Sequence, residues 1–307
     1  MRRPYLPLAV VGATLRPYYR LALNHRLPFK VQRALLDFGA PLQRVPSHAR
    51  IESLTLGGRP AEKITSGASD AGAVLYLHGG GYTTGSIATH RSFAAHVARR
   101  AGVAVYLLDY RLAPEHPFPA APDDAVAAFL DLLETHSYEP NQIALGGDSA
   151  GGGLAVATAR RLIDEYAVTP AALALIAPWV DPNARSERSA DLVVTTKWSR
   201  ACAEAYLADG DPFDPGYAPL LGNLVGLPPT LIHVGTDELL YPQEVEFVER
   251  LRDAGVDVTF VEYAKLWHVA HLQASLLREA AAATRELSGF LRANLAPTPR
   301  QAAEKAG

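Results

Sequence analysis

The sequence has little cysteine and no long apolar run. Cys202 is the only cysteine among 307 residues, so an intramolecular disulfide and a cysteine-based metal cluster are excluded. No segment approaches the run of about 20 apolar residues that crosses a bilayer, and no transmembrane segment is expected. These absences favour a cytoplasmic protein.

The N-terminus offers the one alternative to that location. Arg2 and Arg3 precede an apolar stretch at residues 5–15, which faintly resembles a secretory signal peptide. The apolar run is short, however, it is interrupted by prolines, and an amphipathic stretch continues it to residue 36. We therefore expect the cytoplasm, with secretion as the alternative.

Charge of one sign is also scarce. The formal net charge is −3 and no run of lysine or arginine occurs, which argues against nucleic acid and acidic membranes as the main partners. Apolar residues make up 49% and charged residues 20%, as in ordinary soluble globular proteins. A small-molecule substrate is the expected partner.

Strand and helix patterns alternate from about residue 50. Short apolar runs predict strands at 51–56, 62–65, 74–77, 103–108, 143–145, 173–176, 231–234 and 258–261. Helical patterns lie at 89–100, 122–135, 151–166, 242–254 and 271–295. This alternation predicts an α/β fold with a mostly parallel, doubly wound, eight-stranded sheet, whose first two strands form an antiparallel hairpin.

Two segments break the alternation. Residues 1–48 carry helical periodicity without a strand, and residues 183–225 are interrupted by proline and glycine. Since ligands of open α/β sheets bind beyond the carboxyl ends of the strands, we expect both segments to form a lid over a core made of residues 49–182 and 226–296. The alternative is that they only pad the flanks. Residues 297–307 are predicted to be a flexible tail.

The most informative motif is GDSAG at residues 147–151, between a predicted strand and a predicted helix. A tight strand-to-helix turn lifts a serine hydroxyl clear of the sheet, and flanking glycines permit the close approach of two backbones. The following helix points its amides at charge that develops beside the serine. We predict Ser149 as a nucleophile; the alternative is a glycine-rich turn that only packs a helix on the sheet.

A serine nucleophile needs a base and a carboxylate that orients the base. On this kind of sheet they follow in the order serine, acid, histidine. Asp237 comes directly after the predicted strand 231–234 and is the expected carboxylate. Glu238 is its neighbouring rival, and Asp237 could instead cap the helix that starts near Tyr241.

His268 is the expected base. It lies after the last predicted strand and before the final helix, at the edge of the sheet where the serine is expected. His271, one helical turn later, competes with it, and His233 lies inside a strand as an expected core histidine.

The third element is HGGGY at residues 78–82, directly after the predicted strand 74–77. Acyl transfer passes through a tetrahedral oxyanion that requires preorganised amide donors. Bare glycine backbone can provide them, and the amide of Ala150 beside the nucleophile adds another. Phosphate binding is the alternative, but the loop has no lysine and no G-x-x-x-x-G-K-[ST] pattern.

Together these motifs resemble the bacterial hormone-sensitive-lipase-like esterases, a family with the α/β-hydrolase fold. The similarity spans roughly residues 50–295 and is carried by HGGGY (78–82), DYRLAPEHPFPAA (109–121), GDSAGG (147–152), LPPT (227–230) and Glu262-Tyr263 ahead of His268. Two positions depart from the family pattern: Val269-Ala270 follow the histidine instead of Gly-Phe, and Glu238-Leu239 replace the usual proline and second aspartate after Asp237.

The resemblance implies specific roles. Ser149 would be the nucleophile, His268 the base and Asp237 the orienting carboxylate, with oxyanion donors at Gly80, Gly81 and Ala150. It also implies a cap built from the N-terminal segment and the insertion, esters of short to medium acyl chains as substrates, and no cofactor or metal.

Four further residues are candidates for the substrate pocket: Tyr82, Asp148, Trp179 and Trp267. Ordinary packing is the alternative for the aromatic three, and Asp148 is expected to be a local hydrogen-bond acceptor.

The sequence thus predicts a serine carboxylic-ester hydrolase whose kcat/KM falls at acid pH near the ordinary histidine pKa of about 6.5. Lactone or amide hydrolysis by the same triad, or a non-catalytic ligand-binding relative, are the alternatives. Exposed edge strands leave a homodimer open.

Overall fold

Eight strands form one sheet in the computed structural model, which describes residues 5–67 and 72–296. Their order across the sheet is β1-β2-β4-β3-β5-β6-β7-β8, and the predicted eight-stranded, mostly parallel sheet is confirmed. The strands are β1 (Ala49–Leu56), β2 (Arg59–Ser66), β3 (Ala73–Leu77), β4 (Ala104–Leu108), β5 (Ile143–Asp148), β6 (Leu173–Ile176), β7 (Thr230–Gly235) and β8 (Val258–Tyr263). The predicted tail at 297–307 and the Arg2-Arg3 pair lie outside the described residues.

The sheet is parallel from β4 to β8 and antiparallel at its other edge. β1 and β2 form the predicted hairpin, and β2 also pairs antiparallel with β4. Every residue of β3, β4, β5, β6 and β7 is buried, which explains why these strands read as continuous apolar runs.

Helices cover both faces. α3 and α8 pack over one face, and α4, α5 and α7 contribute to the larger core on the other. The α-helices are α1 (Leu8–Ala22), α2 (Phe29–Gly39), α3 (Ile87–Ala101), α4 (Ala120–Glu134), α5 (Ala150–Tyr166), α6 (Thr196–Leu207), α7 (Tyr241–Asp253) and α8 (Arg278–Asn294), with short 3-10 helices at Ala40–Leu42, Pro140–Gln142, Pro219–Leu221 and Ala270–Gln273. None of the helices within the described residues is long and apolar enough to cross a membrane.

The last predicted helix, 271–295, is interrupted. Residues Ala270–Gln273 form a separate 3-10 helix, and α8 begins only at Arg278. Leu277 before it has extended backbone angles, and the amides of Leu276 and Leu277 both donate to the carbonyl of Gln273. The first turn therefore belongs to the loop that carries His268.

Parallel strands place their carboxyl ends along one edge of the sheet. Residues 78–82, which we call the glycine loop, follow β3. Ser149 follows β5, Glu238 follows β7 and His268 follows β8. Residues far apart in sequence are thus brought to the same edge.

Candidate active site

Ser149 occupies a strained turn between β5 and α5. Its φ of 52° and ψ of −123° are rare for a residue with a side chain. Two glycines make the turn possible: a Cβ on Gly147 would lie 2.2 Å from the carbonyl oxygen of Gly151, and one on Gly151 would lie 2.0 Å from that of Leu77. The backbone is therefore built to present the serine.

A continuous chain of hydrogen bonds starts at this serine. The Oγ of Ser149 lies 2.9 Å from Nε2 of His268, and Nδ1 of His268 lies 2.6 Å from Oε2 of Glu238. All three residues are buried. The structure thus brings the predicted Ser149 and His268 together, with a carboxylate on the far side of the imidazole.

That carboxylate is Glu238, and the choice of Asp237 was wrong. The side chain of Asp237 is 77% exposed and lies 3.4 Å from Arg188, with no contact to the histidine. The reason is the tight turn after β7, in which the amide of Glu238 donates to the carbonyl of Gly235 and Oε1 of Glu238 accepts from the amide of Gly235 at 2.6 Å. This turn directs residue 238 inward and residue 237 to the surface.

Asp237 does not cap the next helix either. α7 begins at Tyr241 after Leu240, and no side chain provides a capping hydrogen bond there.

The other rival, His271, is engaged elsewhere. Its Nε2 lies 3.0 Å from Nδ1 of His233, and both rings are buried. Burial lowers the pKa of His233 to about 2 and that of His271 to about 4, so both stay neutral near neutral pH. His233 is the core histidine that the sequence predicted.

The electrostatic surroundings of His268 favour its charged form. Burial lowers the pKa of this imidazole, but the charge and hydrogen bond of Glu238, helped by Asp191 and Asp148, outweigh that effect and raise it above its ordinary value. Burial also raises the pKa of Glu238, although its hydrogen bonds from His268 and Gly235 favour the carboxylate.

Asp191 is a residue that the sequence reasoning missed. Its Oδ2 accepts from the amide of Leu239 at 3.0 Å, and its Oδ1 accepts from the amides of Val193 and Val194. It therefore ties the segment 183–225 to the turn that carries Glu238. An aspartate in an irregular segment gives no sequence signal for such a contact.

Asp148 is fully engaged inside the protein. Its Oδ1 accepts from the hydroxyl of Tyr76 at 2.9 Å and from the amide of Gly79 at 3.1 Å, and Nε2 of His90 lies 3.2 Å away. Burial raises the pKa of this carboxyl, but the charge and hydrogen bond of His90 and the hydroxyl of Tyr76 bring it below its usual value. Asp148 is thus the local acceptor that the sequence predicted, and it ties the glycine loop to the serine turn.

The glycine loop has the shape expected of an amide cradle. Gly80 and Gly81 have φ values of 126° and 62°, and a Cβ on Gly80 would lie 2.2 Å from the carbonyl oxygen of Thr84. The amides of Gly80, Gly81 and Ala150 donate to no acceptor within residues 5–67 and 72–296. They are available to a ligand.

An apolar cavity of about 330 Å³ lies against this machinery. The part of its lining that belongs to the site consists of Ser149, His268, Gly80 and Asp148. The N-terminal segment and the segment 183–225 both contribute to its walls, together with residues of the ranges 84–90 and 269–276. The contributing side chains of the two segments include Val11, Leu15, Tyr18, Tyr19, Leu36, Val193, Val194 and Trp198. Both segments that broke the alternation of strands and helices therefore cover the same site.

Three of the four pocket candidates do not line this cavity. Tyr82 stacks on Tyr206, with ring centroids 3.7 Å apart, and Trp179 packs near Tyr82. Trp267 is buried and donates through Nε1 to Gln273. These aromatic residues are part of the packing, which was the alternative interpretation, and the pocket role proposed for them was wrong for this cavity.

Comparison with known proteins places this geometry in a family. The family model described as the alpha/beta hydrolase fold matches residues 74–272. A solved esterase of the bacterial hormone-sensitive lipase family is 37% identical, with a TM-score of 0.88 over 92% of this chain and 98% of that one. The chain belongs to the bacterial hormone-sensitive lipase family of α/β hydrolases.

Two other relatives of this hydrolase indicate the chemistry of its neighbours. An acetyl-hydrolase of Streptomyces hygroscopicus is 40% identical over 244 residues, which cover 78% of this chain and 81% of the relative. EstE5, whose crystal was soaked with p-nitrophenyl butyrate, is 34% identical with a TM-score of 0.85, over 94% of this chain and 98% of that one.

Proposed function

We propose that Ser149, His268 and Glu238 are the catalytic triad of a serine esterase. The observation that carries the proposal is the buried chain of hydrogen bonds at 2.9 Å and 2.6 Å through the two nitrogens of His268. In this arrangement the carboxylate fixes the tautomer that leaves Nε2 free to accept the serine proton. The family is one of carboxylic ester hydrolases, and this chain is such an enzyme.

The reaction follows from the positions of these groups. His268 accepts the proton of Ser149 as the hydroxyl oxygen attacks the ester carbonyl, and Glu238 stabilises the imidazolium that forms. The imidazolium then protonates the leaving alcohol, and the acyl group stays on Ser149. Water, deprotonated by the same histidine, attacks the acyl-enzyme and releases the acid.

The oxyanion is assigned to the amides of Gly80, Gly81 and Ala150. Their lack of acceptors in the described part of the chain supports this assignment. Such donors stabilise the tetrahedral intermediate because they are already oriented before charge develops, and each one contributes about 3 kcal/mol. Asp148 acts on them indirectly, because it accepts from Gly79 at the start of the loop.

The cap is assigned to residues 1–48 and 183–225. Side chains from residues 6–43 and 193–198 of these segments form part of the wall of the apolar cavity beside Ser149. At about 330 Å³, this cavity lies at the small end of the range of about 300–1,000 Å³ for ligand pockets. We assign it to the acyl chain of a short- to medium-chain ester.

The test is a series of p-nitrophenyl esters with acyl chains from acetyl to palmitoyl, hydrolysed by wild type and by Ser149→Ala. We expect turnover of the short and medium chains, and a loss of about 10⁶-fold in kcat in the variant, because triad members act as a unit. Ser53→Ala, at an exposed serine of β1, is the matched control and should keep the wild-type rate. Retained activity in Ser149→Ala would remove the assignment. If none of these esters is hydrolysed and a lactone or an amide assayed beside them is, the substrate class changes.

A further inference from the structure

The two N-terminal helices leave apolar side chains in solvent. On α1, Val10, Pro17 and Leu21 are exposed, as is Thr14. Val10 is 51% and Leu21 58% exposed. At about 100° per residue, these four positions fall within one narrow stripe along the helix. Helices of globular proteins usually turn such a stripe to the core.

α2 repeats the pattern. Val31, Ala34 and Phe38 are exposed at helical spacing, and Phe38 is 86% exposed. Leu42, in the 3-10 helix that follows, is 75% exposed. We call the two stripes together with Leu6 and Leu42 the cap face. Of the thirteen large apolar side chains exposed among the described residues, eight lie between Tyr5 and Val45.

The cap face borders the active-site cavity through three of its residues. Leu6, Thr14 and Leu42 are exposed and also line the cavity that reaches Ser149. An apolar molecule lying on this face would therefore contact residues that also line the proposed acyl site. This continuity gives the exposed face a connection to the chemistry that scattered surface leucines do not have.

Charge singles out the same segment. Residues 1–48 contain eight lysines and arginines and one acid, in a chain whose total charge is −3. Arg16, Arg26, Lys30 and Arg44 are exposed, and none of them forms an ion pair with a carboxylate of the described residues. The acid of the segment, Asp37, accepts from the hydroxyl of Ser86.

We propose that the cap face is a peripheral docking site for an anionic lipid surface, which presents ester-bearing molecules to the cavity entrance. Exposed apolar stripes flanked by unpaired basic residues are the features by which helices lie in a lipid interface. Each basic residue near an anionic surface strengthens attachment. A second copy of the chain fits this face less well, because pairing it with itself would oppose the same positive charges.

The test is co-sedimentation with vesicles, measured in the Ser149→Ala background so that turnover plays no part. The vesicles contain equal parts of phosphatidylcholine and phosphatidylglycerol, or phosphatidylcholine alone. We expect binding to the mixed vesicles at low ionic strength, at least tenfold weaker binding to the neutral ones, and a similar loss in about 1 M salt, where the Debye length is about 3 Å.

Two pairs of variants separate the apolar and basic contributions. Val10→Ser with Phe38→Ser, and Lys30→Glu with Arg44→Glu, should each weaken binding to the mixed vesicles at least tenfold. The controls are Phe213→Ser, at a phenylalanine that is 72% exposed, and Arg252→Glu on α7, and both should bind like the parent. Circular-dichroism melting of every variant verifies that it is folded.

Several outcomes would overturn the proposal. These are absence of binding to the mixed vesicles, equal binding by the cap-face variants, and equal loss in the controls. Sedimentation velocity tests the second copy directly: a dimer that dissociates in the Val10→Ser/Phe38→Ser variant would assign the face to self-association. Because vesicle binding is measured without turnover, its failure would leave the proposed esterase chemistry untouched, and failure of that chemistry would leave the docking result untouched.

Discussion

Glu238→Gln should lower kcat by about 10³–10⁴-fold, which corresponds to about 4–5.4 kcal/mol of transition-state stabilisation. The structure explains why an amide cannot replace this carboxylate. Oε1 accepts from the amide of Gly235 at 2.6 Å, and Oε2 accepts from Nδ1 of His268 at 2.6 Å. A glutamine has only one oxygen for these two donors.

The consequences follow for either orientation of the amide. If the side-chain oxygen of the glutamine keeps its hydrogen bond from the amide of Gly235, its NH₂ group faces Nδ1 of His268 and stabilises the tautomer whose Nε2 carries the proton. That tautomer cannot accept the proton of Ser149. If the oxygen turns to His268, the tautomer is correct, but the charge that stabilises the imidazolium is gone and the amide of Gly235 loses its acceptor.

The matched variant is Asp237→Asn. Because that side chain is 77% exposed and its partner Arg188 lies 3.4 Å away, it should change kcat by less than about twofold. Both variants are measured with p-nitrophenyl acetate under saturating and subsaturating conditions, and their folding is verified by thermal melting. A large loss in Asp237→Asn together with near wild-type turnover in folded Glu238→Gln would refute the assignment of the carboxylate.

A pH profile of the same pair provides a second readout. The base must be neutral in the free enzyme, so kcat/KM falls as the pH drops through the pKa of His268. That pKa is raised by Glu238, so the acid limb of the wild type should lie above the ordinary value of about 6.5 expected from the sequence. In Glu238→Gln the acid limb should move to lower pH, because burial still opposes the charge and the carboxylate no longer offsets it. An unmoved acid limb would show that Glu238 does not act on the histidine.

Two further predictions concern stability. The pKa of His271 is about 4 in the folded protein and about 6.5 in the unfolded chain, so the unfolded chain binds the proton first as the pH falls. Acidification from about pH 7 to pH 5 therefore lowers the free energy of unfolding by about 2 kcal/mol through this residue. His271→Gln should remove that part of the pH dependence, as measured by urea titration. An unchanged pH dependence would contradict a neutral buried His271. Gly151→Ala should destroy the fold of the serine turn and abolish esterase activity, because its Cβ would lie 2.0 Å from the carbonyl of Leu77. Gly289→Ala, at a position on α8 where an added Cβ meets no other atom, should instead increase the free energy of unfolding by about 1 kcal/mol and raise Tm by about 2 °C. Equal melting temperatures for the two variants would refute this interpretation of the glycines.

The sheet could be predicted because its signals are local. Buried parallel strands are short apolar runs, and all eight were located within a few residues of their observed bounds. The start of the final helix was predicted wrongly, because the first turn of the predicted helix 271–295 belongs to a separate 3-10 helix. There the apolar spacing continues across the interruption, since His271 and Leu272 pack inward from a loop as they would from a helix.

The site could be predicted in part. Ser149 and His268 follow from motif and chain order, whereas the choice between Asp237 and Glu238 depends on a turn in which one residue points inward and its neighbour outward. β7 ends at Gly235 and α7 begins only at Tyr241, so neither strand nor helical periodicity covers residues 237 and 238 and no pattern specifies which of the two faces the imidazole. The Gly235 amide decides it, and that contact appears only when the turn is built. The departure from the family pattern at Glu238 was the one signal in the sequence.

The N-terminal segment shows that the net charge of a chain can differ in sign from the charge of one of its surfaces. A total charge of −3 without any run of basic residues argued against acidic membranes as main partners. The six basic residues between residues 16 and 44 are spaced along helices and loops, so they form no run, and the acidic remainder of the chain cancels their charge in the sum. Electrostatic attraction to a surface depends on the charges within about a Debye length of it, not on the sum over the molecule. Because α1 and α2 line the cavity and also carry the exposed apolar stripes, the excess of positive charge in this segment lies beside those stripes. The argument against an anionic surface therefore does not hold for this face.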